Sequence, residues 1–558
     1  MANDLIYAVR SSVGFGLRKG LEGQSIFEDS SNPKDNPCQV VKFSNNGKLF
    51  AYCDGQKTRV VDTQTQQIRH EFDLKRTTHI VFSPLDTHLV TYQPYQIYGP
   101  KTNENQKPDP NMRVFCLKTG GCLSTMIAQK KDTWEPQWTA DESIVARMAG
   151  GEIFFHYKAN FTEKSDLKYT MKGMGNFALC PSTSGLPHLA IYIPEQGSEP
   201  GRVQVLSLEE KFPVVCSKSM FKFDKATLTW NHKGSALLVM ASVDVDKTNQ
   251  SYYGEQQLFL MNVLSGDAYM VPLAKTGPVY AARWNPNGKE FAVCYGYMPA
   301  KMTMYNTKGE PIFDTAEGPR NDLHYNAFGN ILLVCGFGNL ARGKMEFWDV
   351  EKKKEIVSID VPNTTMFEWA PDGEHFITAT TAPRLRIDNC YRLWHYSGKM
   401  IYEKTFDSPK EELWQVAFCP NPSYQKFEVR ELTKFDRLQS GLPIKKKDAS
   451  HPLNNVPAGA IRQQAAYVPP HLRNKSAAQR AAIMESAAPT AIKPQQNQQT
   501  QQVNEKDRKI RQLETKLNDI LKLKEKQKKG DILQKNQLEK INKEAELQDE
   551  LEKLKLLP

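Results

Sequence analysis

The chain lacks the sequence features of a secreted, membrane-spanning or zinc-binding protein. Its 558 residues contain no apolar run near the roughly 20 residues that a membrane helix needs. No basic and then apolar signal sequence follows Met1. The ten cysteines lie scattered from Cys38 to Cys419 without a C-x-x-C pair. This scatter is typical of reduced, buried thiols in a cytoplasmic protein, so we expect no disulfide frame and no structural zinc.

Catalytic and nucleotide-binding motifs are also missing or incomplete. The segment from Gly338 to Lys344 matches the first seven positions of a P-loop, but Met345 stands where Ser or Thr would bind magnesium. A strand is predicted to follow it where a P-loop requires a helix, which favours a turn between two strands. The segment from Gly14 to Gly20 is one position off the dinucleotide fingerprint and lacks its βαβ frame. We therefore predict no enzyme, no cofactor, no metal and no small-molecule substrate.

Net charge is unevenly distributed along the chain. Residues 441–504 carry eight Lys and Arg against two Asp and Glu, and residues 505–558 carry fifteen against twelve. The tail therefore holds +9 of the formal net charge of +10, and the first 440 residues are nearly neutral. A basic tail of this kind indicates an anionic partner.

The clearest repeat lies between Asn326 and Tyr402. Strand-like runs at residues 344–350, 355–360, 374–380 and 389–395 are separated by turn residues, and Trp348-Asp349 ends its run as in a WD-type blade. In the turn Pro371-Asp372-Gly373, proline presets φ and glycine accepts the left-handed conformation. We predict that this stretch is one blade of a β-propeller and that Trp369 packs between neighbouring blades.

A large aromatic or apolar residue ahead of a turn recurs nine times. These residues are Phe43, Phe82, Trp138, Leu179, Trp230, Trp284, Tyr325, Trp369 and Phe418. Their spacing of 39 to 56 residues approaches the roughly 40–45 residues of a propeller blade, and an insertion from Tyr95 to Asn111 explains the longest gap. The pattern predicts an all-β, WD40-like propeller of about nine blades over residues 1–430. Propellers usually have four to eight blades, so the alternative is that the degenerate repeat at Leu179 does not mark a blade of its own. The predicted structural blade anchors are Trp230, Trp284, Trp348, Asp349, Trp369 and Trp394.

The residues from Leu5 to Val9 form a strand-like run before the first full repeat. Such a strand often completes the last blade of a closed propeller, because closure removes an exposed sheet edge.

The repeat pattern then ends. Residues 431–504 are rich in Ala, Gln, Pro and Asn, which predicts a disordered basic linker, and residues 505–558 predict charged amphipathic helices. The candidate RNA-binding residues, chosen by charge, are Lys445, Lys446, Lys447, Arg462, Arg473, Lys475, Lys522, Lys524, Lys526, Lys528 and Lys529. An aromatic residue beside a stiff Pro-Pro pair suggests a short docking peptide, formed by Tyr467, Pro469, Pro470 and Leu472. In each case a plain solvated linker or helix surface is the competing interpretation.

Several segments carry a family resemblance. They are Leu5 to Ser12, Trp284 to Gly288, Phe291 to Gly296, Met302 to Asn306, Phe367 to Gly373 and Tyr391 to His395. With the predicted propeller, linker and helices, the chain resembles the eukaryotic translation initiation factor 2A family over nearly its whole length. The resemblance implies a factor that binds the small ribosomal subunit and helps place initiator methionyl-tRNA there without GTP hydrolysis, in specialised or stress-time initiation. It also implies mRNA and other initiation factors as partners.

Two alternatives stay open. Subunit b of initiation factor 3 has a related propeller, but that family begins with an RNA-recognition domain, whereas here the propeller starts within the first ten residues. A WD-repeat scaffold for protein complexes, without direct tRNA binding, is the alternative from another functional class.

Overall fold

The computed structural model of the chain describes residues 4–29, 38–95, 109–129, 134–161, 165–183, 185, 187–243, 256–338, 341–407 and 410–440, and the single positions 520 and 548. The chain divides into two units, Met1–Ala449 and Ser450–Pro558. In the second unit, the two described residues, Ile520 and Gln548, are helical. The linker and helices predicted there otherwise lie outside the described residues.

In the described part of the first unit, nine four-stranded antiparallel sheets each form one blade of a β-propeller. Blade 1 contains β4(Val40–Phe43), β5(Leu49–Cys53), β6(Thr58–Asp62) and β7(Ile68–Phe72). Blade 2 contains β8(His79–Phe82), β9(His88–Tyr92), β10(Met112–Cys116) and β11(Cys122–Met126). Blade 3 contains β12(Gln137–Trp138), β13(Ile144–Ala149), β14(Glu152–Tyr157) and β15(Leu167–Thr170). Blade 4 contains β16(Asn176–Leu179), β17(His188–Ile193), β18(Gly201–Ser207) and β19(Val214–Met220). Blade 5 contains β20(Lys225–Trp230), β21(Ala236–Ser242), β22(Gln256–Asn262) and β23(Ala268–Met270). Blade 6 contains β24(Val279–Trp284), β25(Glu290–Tyr295), β26(Lys301–Asn306) and β27(Pro311–Asp314). Blade 7 contains β28(Asp322–Tyr325), β29(Ile331–Gly336), β30(Lys344–Asp349) and β31(Lys354–Asp360). Blade 8 contains β32(Met366–Trp369), β33(His375–Thr380), β34(Cys390–His395) and β35(Met400–Thr405). Blade 9 contains β36(Leu413–Phe418), β1(Ile6–Ser11), β2(Gly14–Lys19) and β3(Gln24–Glu28).

The hydrophobic core lies between blades, because both faces of each sheet are covered by a neighbour. Successive side chains of a strand point to opposite faces. In blade 3, Ile144 and Ala146 pack against blade 4, while Val145 packs against Val90 of blade 2. The strands therefore read as nearly continuous apolar runs, as expected of a sheet that is buried on both faces.

Blade 9 closes the ring. The N-terminal strand β1 pairs antiparallel with β36, with Tyr7 opposite Phe418 and Ala8 opposite Ala417. The predicted closing strand is thus confirmed, because β1 pairs with the outer edge of β36 and completes the four strands of this blade.

The ring has two faces, set by the antiparallel strand order. One face carries the turns between first and second strands and between third and fourth strands, and we call it the turn face. The other, the connector face, carries the second-to-third loops and the crossings between blades.

The nine predicted repeats correspond to the nine blades. Each of the nine residues ends the innermost strand of its blade, including the degenerate Leu179, which ends β16. The long gap before Trp138 arises from the connection between β9 and β10, as predicted.

The prediction that residues 326–402 form one blade is wrong. Strands β30 and β31 belong to blade 7, whereas β32, β33 and β34 belong to blade 8. The crossing between the two blades spans only residues 361–365, which is as short as a turn within a blade. The segment from Gly338 to Lys344 connects β29 and β30, so a strand follows it, as predicted, and the P-loop context is absent.

After β36 the chain crosses the turn face of blades 8 and 7, and we call residues 419–440 the strap. It ends in α1(Lys434–Gln439). Phe427 stacks on Tyr396 of blade 8, and Val429 is buried in the core cluster between blades 7 and 8. The predicted domain boundary at residue 430 falls within the strap and stays a prediction.

Candidate functional site

All predicted RNA-binding residues and the predicted docking peptide lie outside the described residues. The former run from Lys445 to Lys529, and the latter runs from Tyr467 to Leu472. The surfaces that the structure does describe are the inter-blade contacts, the central channel and the strap.

Three predicted anchors join neighbouring blades through their indole N–H groups. Trp230 donates to Ala178 O at 3.0 Å, Trp284 to Thr229 O at 2.9 Å, and Trp369 to a carbonyl of blade 7. Each acceptor lies on the innermost strand of the preceding blade. These tryptophans therefore fix the angle between adjacent sheets near the channel.

Trp348, Asp349 and Trp394 have a different role, because they lie on third strands rather than first strands. Asp349 accepts hydrogen bonds from the backbone N–H groups of Glu351 (3.0 Å) and Lys352 (2.9 Å), which closes the turn to β31. The indole of Trp394 donates to Thr378 within its own blade, at 2.9 Å. The aspartate thus acts as a turn-forming side chain.

The residue after an anchor makes the complementary contact to the following blade. Asn231 donates through Nδ2 to Gly288 O at 3.0 Å, and Asn285 donates to Gly329 O at 2.9 Å. Asn326 repeats the bond in blade 7. A Trp-Asn pair therefore connects a blade to both neighbours, a signal that is visible in the sequence.

The central channel holds a titratable group that the sequence did not indicate. Glu368 accepts a hydrogen bond from the backbone N–H of Phe418 at 3.2 Å. Burial raises the pKa of Glu368 to about 7, although the Phe418 amide and Lys42 act in the opposite direction. Burial also raises the pKa of Glu135. Gln137 stands at the position of Glu368 in blade 3 and accepts from Leu179 N at 2.7 Å. Glu368 therefore acts as a hydrogen-bond acceptor between blades 8 and 9.

The strap determines where the basic tail begins. Asn330 donates to Phe427 O at 2.7 Å, and Lys352 Nζ donates to Val429 O at 2.8 Å. Arg437 of α1 donates to Ile356 O on the outermost strand of blade 7, at 3.3 Å. The last described residues of the strap, which precede the tail in sequence, consequently lie at the outer edge of blade 7.

The described residues offer no separate chemical centre. Among them, no group of three His, Cys, Asp or Glu side chains could hold a metal ion. Eight of the ten cysteines are buried, and all ten are unbridged. No helix in the described part of the chain is long and apolar enough to cross a bilayer.

Comparison with known proteins places this architecture in one family. The model of the family "Eukaryotic translation initiation factor eIF2A" matches residues 218–416. The eukaryotic translation initiation factor 2A of Caenorhabditis elegans is 54% identical over 99% of this chain and 100% of its own length. The Drosophila melanogaster protein of the same name is 32% identical over 98% of each chain. A crystal structure described as that of the eukaryotic initiation factor superimposes with a TM-score of 0.66 at 28% identity, over 75% of this chain and 100% of the other.

Proposed function

Because the chain belongs to the eukaryotic translation initiation factor 2A family, we propose that it is a non-enzymatic factor that binds the small ribosomal subunit. In this proposal it promotes GTP-independent delivery of initiator methionyl-tRNA in the cytoplasm, in specialised or stress-time initiation. Messenger RNA and other initiation factors are its further partners.

The observation that carries the proposal is the joining of a nearly neutral propeller to a strongly basic tail at a fixed point. The tail holds +9 of the formal charge, and the strap fixes its start at blade 7. Lys445 follows the last described strap residue, Ser440, by five positions, so the chain can carry it at most about 18 Å from that point. A cationic segment tethered beside a large docking platform is suited to hold RNA on a ribosomal surface.

Independence from GTP is supported by the segment that most resembles a nucleotide site. A P-loop needs a helix N-terminus after its glycine-rich turn, because the backbone amides there bind the phosphates. In this chain Lys344 instead begins β30 and pairs with Gly336. The propeller blade therefore uses this segment as a loop between strands.

The proposal is tested with purified small subunits and labelled initiator methionyl-tRNA in buffer without GTP. The full chain is expected to sediment with the subunits and to increase the tRNA retained on them, and a non-hydrolysable GTP analogue should change nothing. Subunit binding without any gain in tRNA would favour the scaffold alternative. Absence of subunit binding would contradict the proposal altogether.

A further inference from the structure

A basic cavity opens on the connector face between blades 1 and 2. It has a volume of about 360 Å³, and Lys75, Arg76 and Arg113 contribute positive charge to its lining. Lys75 and Arg76 form the tight crossing from blade 1 to blade 2, and Arg113 lies on β10 of blade 2. None of these three cations forms an ion pair with a described carboxylate.

Two carboxylates of blade 1 are already occupied by other cations. Asp54 of blade 1 pairs with Arg59, and Glu71 pairs with Lys57 at 2.5 Å and with Arg59 at 2.9 Å. Asp109 is the one carboxylate among the described residues that line the cavity. The lining therefore keeps a net positive charge.

The cationic side chains are held on rigid backbone. Leu74 and Thr77, on both sides of the Lys75-Arg76 turn, are buried, and Thr58 Oγ1 lies 3.3 Å from Leu74 O and 2.9 Å from Thr77 Oγ1. On the other wall, the buried Asn111 donates through Nδ2 to Gln93 O at 2.9 Å. Both walls are thus fixed before a ligand arrives, which lowers the entropic cost of binding.

Gln93 connects the two walls without neutralising them. Its Nε2 donates to Lys75 O, and its Oε1 accepts from Arg113 Nη1 at 2.5 Å. A carboxylate at this position would orient the guanidinium equally well but would cancel its charge. The amide orients Arg113 and leaves the charge for a ligand.

We propose that this cavity binds a phosphate group of an RNA backbone. Three cations in one lining, against the single described carboxylate of Asp109, match the charge and the acceptor oxygens of a phosphodiester. The cavity opens at the surface of the propeller, so a phosphate group of a long polyanion can reach it. The choice of RNA rests on the proposed function, whereas the anion site itself rests on the geometry.

The test uses the full chain with Lys75→Gln, Arg76→Gln and Arg113→Gln combined. A matched control combines Lys172→Gln, Lys222→Gln and Arg342→Gln, which removes the same charge from exposed positions on the same face. Binding of a fluorescent oligouridylate and of initiator tRNA is measured over a salt series. The cavity variant is expected to bind roughly tenfold or more weakly, with a logarithmic salt slope flatter by about 0.7. The control should be weakened much less.

A second variant, Gln93→Glu, keeps all three cations and compensates Arg113 with a carboxylate. It should flatten the salt slope in the same direction. Inorganic phosphate in the millimolar range should compete with RNA for the wild type but not for the cavity variant.

Three outcomes would overturn the inference. The first is an equal salt slope of RNA binding for the cavity and control variants, and the second is binding of phosphate without any effect on RNA affinity. The third is a loss of ribosome binding with unchanged binding of free RNA, which would indicate an acidic protein partner. If the wild type binds no RNA at all, the proposed function fails with it. If the wild type binds RNA and the cavity variant binds it as well as the control variant does, the inference fails and the proposed function stands.

Discussion

The indole Nε1 of Trp369 donates a hydrogen bond to the carbonyl oxygen of His324, 3.1 Å away, across the boundary between blades 8 and 7. The ring also packs edge-on against Phe347 of blade 7 and Phe376 of blade 8. One side chain therefore combines apolar burial with a polar contact between blades. The propeller depends on such contacts, because each blade is covered only by its neighbours.

Trp369→Ala is expected to lower the free energy of unfolding by roughly 3–5 kcal/mol, as large aromatic deletions from cores do. Trp369→Phe keeps most of the packing and should cost about 1 kcal/mol for the missing hydrogen bond. Denaturant unfolding of the full chain measures both. Trp138 is the matched control, because it occupies the same position in blade 3 and its Nε1 has no partner. Trp138→Phe should cost less than Trp369→Phe, and the reverse order would contradict this role of the indole.

Limited proteolysis should leave a resistant fragment that includes the strap. Val429 is buried, and Asn330 and Lys352 bind strap carbonyls, so we expect the last resistant residue near 440. A chain truncated after Pro420 should melt at a lower temperature than residues 1–440, because it exposes the core cluster that Val429 covers. Equal melting temperatures would show that the strap does not stabilise the ring.

Glu368 should lower the stability of the propeller as the pH rises from about 4.5 to 7. In this window Glu368 is protonated in the folded state, where its pKa is about 7, and ionised in the unfolded state. The unfolded state therefore binds fewer protons, and the free energy of unfolding falls with pH. Part of the Glu368 side chain remains in contact with water, so we expect a contribution on the order of 2 kcal/mol.

Glu368→Gln should remove this contribution and raise the stability above pH 7. The amide oxygen can accept from Phe418 N, as that of Gln137 accepts from Leu179 N at 2.7 Å. Urea denaturation at pH 5 and pH 8 measures the difference between the variant and the wild type. An unchanged difference at the two values would mean that Glu368 is ionised in both states.

Arg147→Met should stabilise the propeller by about 1 kcal/mol. Burial lowers the pKa of Arg147, its Nε atom is buried without a partner, and no described carboxylate pairs with it. Its Cζ lies 5.0 Å from the centroid of the Phe154 ring, and replacing this partly buried charge with an apolar side chain of similar size removes a desolvation cost. Arg392, which pairs with Glu403 at 2.6 Å, is the control, and Arg392→Met should bring no gain in thermal unfolding. A loss of stability in Arg147→Met would show that the contact of the guanidinium with the Phe154 ring outweighs its desolvation cost.

Much of the fold could be predicted from the sequence because each blade repeats the same turn chemistry. Even Leu179, the weakest repeat, ends an inner strand. The grouping of strands into blades could not be predicted, since a short crossing and a turn within a blade look alike in sequence. Residues 361–365 are the example.

The strap and the cavity escaped prediction for a different reason. Phe427 and Val429 are isolated apolar residues in a charged, proline-containing stretch, so no periodicity marks them. Lys75 and Arg113 are 38 positions apart, and only the packing of blade 1 against blade 2 brings them to one cavity. The tail residues were chosen by charge alone, and their role stays a prediction.

The most direct test of the division of labour between propeller and tail is a salt titration of initiator-tRNA and small-subunit binding. It compares the full chain, residues 1–440, and a variant with eight lysines changed to glutamine. These lysines are Lys445, Lys446, Lys447, Lys522, Lys524, Lys526, Lys528 and Lys529. The variant should bind tRNA more weakly, with a salt slope flatter by roughly 0.7–0.9 for each phosphate that the tail no longer neutralises. Residues 1–440 should still bind the subunit, with a tRNA slope that corresponds to about one neutralised phosphate. If residues 1–440 bind tRNA with the full slope of the intact chain, the tail is only a linker and the account is contradicted.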